Sequence, residues 1–408
     1  MTKKTIENKQ KEQELSGKKV LIIVENLPVP FDRRVWQEAR SLHKAGAQVS
    51  IICPTGKGHE KSYELIEGIH IYRHPLFRDA NGALGYLVEY GTAFLFETFL
   101  AWKIFFRHGF DIIHGCNPPD LIFLIAWQFK LFGKKFIFDH HDINPELFEA
   151  KFNKRGFFWK LICFFEWLTF KSANVVIATN ESYKKIAITR GRKLSKDVFV
   201  VRSGPDLSRV KSVTPRPEIK NSRQFLISYV GVMGDQEGID LLLEAAKYLI
   251  YEKGRKDIQF ALVGSGSSLS KLKKLSKEMG LYDFVTFFGR APDQILFETL
   301  STADICVNPD RVNEMNDKST MNKILEYMAL GKPIVQFDVT EGRFSAQKAS
   351  LYAKANDPVD FAHKIEMLLK DPKKRAEMGE FGRKRVESKM AWVYEEPKLV
   401  KAYLHAGK

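Results

Sequence analysis

Apolar and polar positions along the chain fall into two series of alternating patterns. In the first half, Lys19–Glu25, Gln48–Cys53, Ile69–Arg73, Asp111–Gly115, Lys135–Asp139, Val175–Ala178 and Val198–Val201 are short runs rich in Val and Ile. Runs of this length and composition predict strands buried on both faces, as in parallel sheets. Between them, helical periodicity marks segments such as Arg33–Ala45 and Leu121–Phe132. The pattern fails where Ser203-Gly204-Pro205-Asp206 and Thr214-Pro215-Arg216-Pro217 punctuate a stretch with little apolar periodicity, so a linker is predicted. A second series then begins: Phe225–Gly231, Gln259–Val263, Val285–Phe287, Ile305–Asn308 and Ile334–Phe337 read as strands, with closing helices near Pro358–Leu369, Lys373–Met390 and Glu396–Leu404.

Strands alternating with helices imply βαβ units, and 408 residues suit two cores of ordinary size. The expected architecture is α/β, two doubly wound Rossmann-like domains facing each other across a cleft outside the carboxyl ends of their strands. The expected layout is a disordered segment at 1–17, a first Rossmann-like domain at 18–203, a linker at 204–223, a second Rossmann-like domain at 224–390, and a helix at 391–408 able to cross back to the first domain. The tail from His405 to Lys408 is expected to be loose.

Composition narrows the setting. Cys53, Cys116, Cys163 and Cys306 are widely spaced with no CxxC pair, which argues against a zinc site, a disulfide framework or a redox motif and fits a reducing cytoplasm. Apolar stretches are interrupted by charge, as at Glu89, Glu97 and Lys103, so no transmembrane helix is predicted. The net charge of +15 is concentrated: residues 151–223 hold 17 Lys/Arg against 5 Asp/Glu, or +12. The aromatic stretch Gly156–Phe170 within that region reads either as a helix lying on an anionic lipid surface or as one buried in the first domain. The same basic balance allows a non-enzymatic membrane- or nucleic-acid-binding protein, but no nucleic-acid module is recognisable and no nucleic acid is expected.

The sharpest chemical signal is Asn316-Asp-Lys-Ser-Thr-Met-Asn-Lys-Ile-Leu-Glu-Tyr-Met-Ala-Leu-Gly-Lys-Pro333. Asp317 or Ser319 can cap a helix start, where free N–H groups and the dipole attract phosphate; Lys318 adds a full charge, with Lys323 as a second cation. Glu326 lies two turns on, where a carboxylate can accept from a ribose diol. Gly231 and Gly234 after one strand, and Gly264 after another, permit close backbone approach to phosphate. In the first half, Arg33 and Arg34 follow Pro28-Val-Pro-Phe-Asp32 at a helix start, where they can grip an acceptor phosphate, although one can instead pair with Glu38. His140, His141 and Asp142 end a strand; metal binding there lacks a third soft ligand nearby.

Glu326-Tyr-Met-Ala-Leu-Gly-Lys-Pro333 resembles the donor-binding element of the family-four retaining GT-B glycosyltransferases, and Pro28–Glu38 resembles their bacterial surface-polysaccharide branch, the likeness running from about Lys18 to Pro372. In that family two glutamates lie eight positions apart; here the first is Lys318, and Val232 and Glu237 stand where relatives commonly carry Arg and Lys. The resemblance implies that Phe288-Gly-Arg290-Ala291 lies at the nucleotide base. It also implies that His141, oriented by Asp142, works near the donor sugar, and that the reaction needs no metal or other cofactor. The implied activity moves a hexose or N-acetylhexosamine from a nucleotide-diphosphate sugar, UDP being the expected base, to a polyprenyl-diphosphate-linked saccharide. The enzyme is expected to lie peripherally on the inner face of a bacterial plasma membrane. A UDP-N-acetylglucosamine 2-epimerase of the same fold is the alternative enzyme, with Asp139, His141 and Glu146 as its acid and base groups.

Overall fold

The computed structural model describes residues 13–75 and 82–407. Most of the 1–17 segment therefore lies outside the described residues. The chain divides into two compact units, Met1–Ser203 with Glu395–Lys408, and Gly204–Tyr394.

In the first unit the elements run β1 (Lys19–Ile23), α1 (Arg33–Lys44), β2 (Gln48–Pro54), β3 (Tyr63–Ile66), β4 (Ile69–His74), α2 (Gly82–Arg107), β5 (Ile112–Cys116), α3 (Phe123–Lys130), β6 (Lys135–His140), α4 (Asn144–Phe152), α5 (Phe157–Ser172), β7 (Val175–Ala178), α6 (Glu181–Thr189) and β8 (Val198–Val200). The sheet order is β3-β4-β2-β1-β5-β6-β7-β8, parallel throughout except for β3, which pairs antiparallel with β4. Strand order reverses at β1, so the ends of β1 and β5 form the switch point where doubly wound folds place ligands.

In the second unit they run β9 (Phe225–Val230), α7 (Ile239–Lys247), β10 (Ile258–Val263), α8 (Leu269–Glu278), β11 (Val285–Gly289), α9 (Asp293–Thr302), β12 (Ile305–Asn308), α10 (Glu314–Lys318), α11 (Asn322–Ala329), β13 (Ile334–Phe337), α12 (Thr340–Ala346), β14 (Ser350–Ala353), α13 (Pro358–Lys370) and α14 (Pro372–Arg385). Its sheet, β11-β10-β9-β12-β13-β14, is wholly parallel and reverses at β9. Both faces are packed: Ile227, Phe260 and Val307 belong to one buried cluster, and Leu226, Ala261 and Cys306 to the other. The stretch predicted as a linker lies along this unit, Val213 N–H donating to Ser301 Oγ at 3.0 Å and Arg216 N–H to Thr302 Oγ1 at 2.7 Å.

The last helix, α15 (Glu396–Ala406), packs on β7 and α1 of the first unit. The tail expected to be loose is helical to Ala406, and His405 Nε2 lies 2.8 Å from Asp197 Oδ1. Helix α5 answers to both readings of its sequence. Its second half buries Glu166, Thr169, Phe170 and Ser172, whereas Phe157 and Phe158 are 73% and 65% exposed.

Candidate active site

The first-unit site is built at the carboxyl ends of β5 and β6. Asp32 caps α1, its Oδ1 accepting the Val35 N–H at 3.1 Å, and the buried stripe of that helix includes Arg34 and Glu38, one turn apart. Arg34 is thereby turned inward. Its Nε donates to Asp139 Oδ2 (3.1 Å), Nη2 to Asp139 Oδ1 (2.9 Å), and Nη1 to Val201 O and Ser203 Oγ (both 3.0 Å). Glu38 Oε1 is 3.0 Å from Nη2. The expectation that Arg34 grips an acceptor phosphate is therefore corrected, because a buried guanidinium with every nitrogen engaged has no donor left for one. Arg33 stays on the exposed side of the same turn.

Two buried carboxyls share Arg34 and move apart. Burial opposes ionisation of Asp139, but Arg34 and His141 prevail and hold it well below the usual carboxylate range. Burial wins at Glu38 and lifts it well above that range against the pull of Arg34. One cation thus faces one anion, which limits the desolvation cost.

His141 is held through Asp139, not Asp142. Its Nε2 lies 2.5 Å from Asp139 Oδ2, while the backbone N–H groups of His141 and Asp142 both donate to Asn117 Oδ1, at 2.7 and 3.2 Å. Asn117 Nδ2 donates back to Asp142 O at 2.7 Å and to Asp120 Oδ1 at 2.9 Å. Asp142 contributes main chain to this arrangement, and burial pushes its carboxyl up. Asp120, also buried, is pushed up to about 6. Asn117 was missed in the sequence; its signal is an amide in the strand-ending turn Cys116-Asn-Pro-Pro-Asp120. Glu38, Asp139 and His141, and likewise His114, Cys116 and Asp139, lie close enough to hold an ion, but both trios depend on Asp139, whose oxygens are taken by Arg34 and His141. Glu146, expected beside His141 in an epimerase, instead forms a bidentate pair with Arg190 at 2.8 and 3.0 Å.

The second-unit site lies at the ends of β9, β10 and β12. Here the glycine expectation needs revising. Gly231 N–H donates to Val263 O, Gly264 N–H to Gly289 O, and Gly234 N–H to Glu237 Oε2, at 3.1, 2.8 and 3.0 Å, so none of the three amides is available to phosphate. The glycines serve contact between turns: a Cβ on Gly264, at φ +148°, would sit 1.8 Å from Gly231 O.

The single helix expected from about residue 316 is two. Asn313 caps α10, and Ser319 Oγ donates back to Met315 O at 2.7 Å, ending that helix before α11 restarts at Asn322. Lys318 consequently sits at a helix end, its Nζ 2.5 Å from Glu314 Oε1, and neither Asp317 nor Ser319 caps α11. That is a correction: Lys318 and the N-terminus of α11 belong to different helices. Lys323 instead lies against the Gly231 turn. Its Nζ donates to Asp310 Oδ1 at 2.8 Å and stands 4.8 Å from the Tyr229 ring centroid, and its Cε would meet a Cβ on Gly231 at 3.3 Å. Glu326, three residues on, shares that helix face and lies 3.6 Å from Arg209. Tyr327 Oη accepts the Val230 N–H at 2.8 Å, fixing α11 to β9. Arg290 is exposed just beyond β11.

Two doubly wound sheets with polar sites at their carboxyl ends make up the GT-B fold. Residues 32–209 match the family described as Glycosyltransferase Family 4 and residues 224–371 that described as Glycosyl transferases group 1. The chain belongs to the family-four glycosyltransferases. Among curated relatives, the GDP-mannose-dependent monoacylated alpha-(1-6)-phosphatidylinositol monomannoside mannosyltransferase of Corynebacterium glutamicum is 28% identical over 200 residues, 47% of this chain and 51% of that one. The chain spans about half the length of the curated relatives it matches. Sucrose-phosphate synthase from Thermosynechococcus elongatus shares the fold with a TM-score of 0.76 at 20% identity, over 95% of this chain and 98% of that one. HepE of Anabaena, solved with UDP-glucose, superposes with a TM-score of 0.71 at 14% identity, over 95% and 99% of the chains.

Proposed function

We propose that this enzyme transfers a hexose or N-acetylhexosamine from a UDP-sugar to a membrane-associated, polyprenyl-diphosphate-linked saccharide, with retention and without a metal. The observation that carries the donor half is the pairing of Lys323 and Glu326 on one face of α11, beside the ends of β9 and β12. A cation and a carboxylate three residues apart suit a diphosphate and a ribose diol. Lys323 takes the part first read into Lys318, because it adjoins the Gly231 turn. The UDP-glucose held by the similar HepE supports the choice of donor. His141 supplies a hydrogen bond or developing-charge contact to the donor sugar, kept in place by Asp139 and Asn117. Such a site works by positioning and electrostatics, the departing phosphate taking the acceptor proton.

The acceptor half rests on a surface. Helix α3 packs against both α2 and α5, and Phe99, Phe106, Phe157 and Phe164 on α2 and α5 are exposed, as are Leu131 and Phe132 just past the end of α3. Trp102 stacks on Phe106 and meets Phe132 edge-on at 5.6 Å, which joins the first two helices, and exposed Lys103, Arg107, Lys160 and Lys171 are interspersed. Aromatics with interleaved cations suit a lipid headgroup region. Among the described residues no helix is long and apolar enough to cross a membrane. The phosphatidylinositol mannoside acceptor named for the Corynebacterium relative agrees with a lipid-borne substrate.

The test is thermal-shift screening against nucleotide sugars, followed by NMR of the product anomer with chelator present. Stabilisation by one UDP-sugar and a retained anomer are expected. An inverted product, activity lost to chelator and restored by a divalent ion, or donor turnover without acceptor would overturn the reading.

A further inference from the structure

Behind the carboxylate that holds His141 stand two side chains in series. His114, on β5, is fully buried, with Nε2 3.4 Å from Asp139 Oδ2 and 3.5 Å from Glu38 Oε2. Its Nδ1 lies 2.6 Å from the hydroxyl of Tyr403, on α15, and the two rings stack at 5.9 Å. Burial keeps the imidazole neutral and the phenol protonated. A neutral imidazole has one N–H. Placed on Nε2, it faces two carboxyls, and Nδ1 is then the acceptor of the Tyr403 hydroxyl; placed on Nδ1, it would turn a lone pair toward the Asp139 carboxylate. The two carboxyls thus favour the tautomer with its N–H on Nε2, and a Tyr403 hydroxyl donating to Nδ1 reinforces it.

We propose that Tyr403 and His114 are positioning residues which, through Asp139, set the proton position and basicity of His141. The inference rests on the reading in which His141 acts at the donor sugar. Other charged or titratable groups around this chain are Asp32, Arg34 and Glu38 at the start of α1, Cys116 on β5, and His140 and Asp142 on either side of His141. Without the Tyr403 hydroxyl, His114 samples the other tautomer and turns a lone pair in place of an N–H toward Asp139. The carboxylate then draws more strongly on the proton between its Oδ2 and His141 Nε2, a nitrogen that Arg34 Nε also faces at 3.0 Å, and tightens its hold on that ring.

The experiment is Tyr403→Phe in the full chain, read by ¹⁵N NMR of the histidine rings and by the pH profile of kcat/KM. In the unaltered enzyme His114 should show a protonated Nε2 and a bare Nδ1. The variant should shift the His141 ring resonances, move the acidic limb of the profile to higher pH, and lower kcat by about 3- to 30-fold with donor KM unchanged. His114→Gln, which keeps an N–H near Nε2 and removes the acceptor for Tyr403, should abolish any further effect of Tyr403→Phe. Unmoved His141 resonances and an unmoved limb in Tyr403→Phe, or a full Tyr403→Phe effect in the His114→Gln background, would overturn the inference. His141→Ala tests the underlying reading separately: near-normal turnover there would sink the role of His141 while leaving the NMR coupling measurable.

Discussion

Lys318 and Lys323 are five residues apart and lie in different surroundings. Lys318 closes a five-residue helix on Glu314, whereas Lys323 is nearly buried between Asp310 and Tyr229. If Lys323 meets charge that grows on the leaving diphosphate, Lys323→Ala should cost about 2–4 kcal/mol, roughly 30- to 1000-fold in kcat/KM. Lys318→Ala should cost less than about threefold, as for a partly solvated pair, and steady-state kinetics of the two variants decides between them. Glu326→Ala should mainly raise the donor KM. The segments that hold these candidate groups were legible, since histidine and acid at a strand end and a lysine-bearing helix ending in Gly-Lys-Pro are local patterns. Which carboxylate holds His141 was not legible. Asp139 and Asp142 flank it within three positions, and only the pleat and the turn held by Asn117 decide between them. Tyr403 was further out of reach, 289 residues from His114 in the chain.

Among the elements, the central strands were legible because each is a short unbroken apolar run, while β3 and β14 at the sheet edges were not. Tyr63–Ile66 has alternating, partly solvated positions, so its composition hardly differs from that of a loop. The break between α10 and α11 was hidden because a hydroxyl folding back on a carbonyl leaves no periodicity to read. His140, at the end of β6, offers a test of how this strand end is packed. Its ring is enclosed by Phe138, Phe170 and Tyr183, and burial lowers its pKa to about 3. The unfolded chain, with a histidine near 6.5, binds a proton that the folded one refuses. Stability conferred by the neutral ring is complete above about pH 6.5 and is lost as pH falls from there toward 3, by at most about 1.4 kcal/mol per pH unit. His140→Phe should flatten the acid side of the stability curve, measured as chemical denaturation between pH 4 and 7; an unchanged slope would contradict it.

For the molecule as a whole, a +15 chain with much of its charge beside exposed aromatics should bind vesicles containing anionic lipid, more weakly as salt rises. Phe157→Ser with Phe158→Ser should reduce co-sedimentation several-fold without altering donor binding, and equal binding to neutral vesicles at high salt would refute the electrostatic share. The first unit is discontinuous in the chain: 191 residues of the second unit, Gly204–Tyr394, separate Ser203 from the helix that packs back on α1 and β7. On the ribosome this reverses the usual sequence of domain completion. Elongation at about 5–20 residues per second means that β1–β8 wait tens of seconds for α15. During that wait His114 has no Tyr403, and the apolar ground that α15 will cover is open to chaperones or to other nascent chains. The second unit holds its own sheet and core, so the amino-terminal half is the last to mature, and a released chain truncated before Glu395 should yield a protease-resistant second unit beside a sensitive first one.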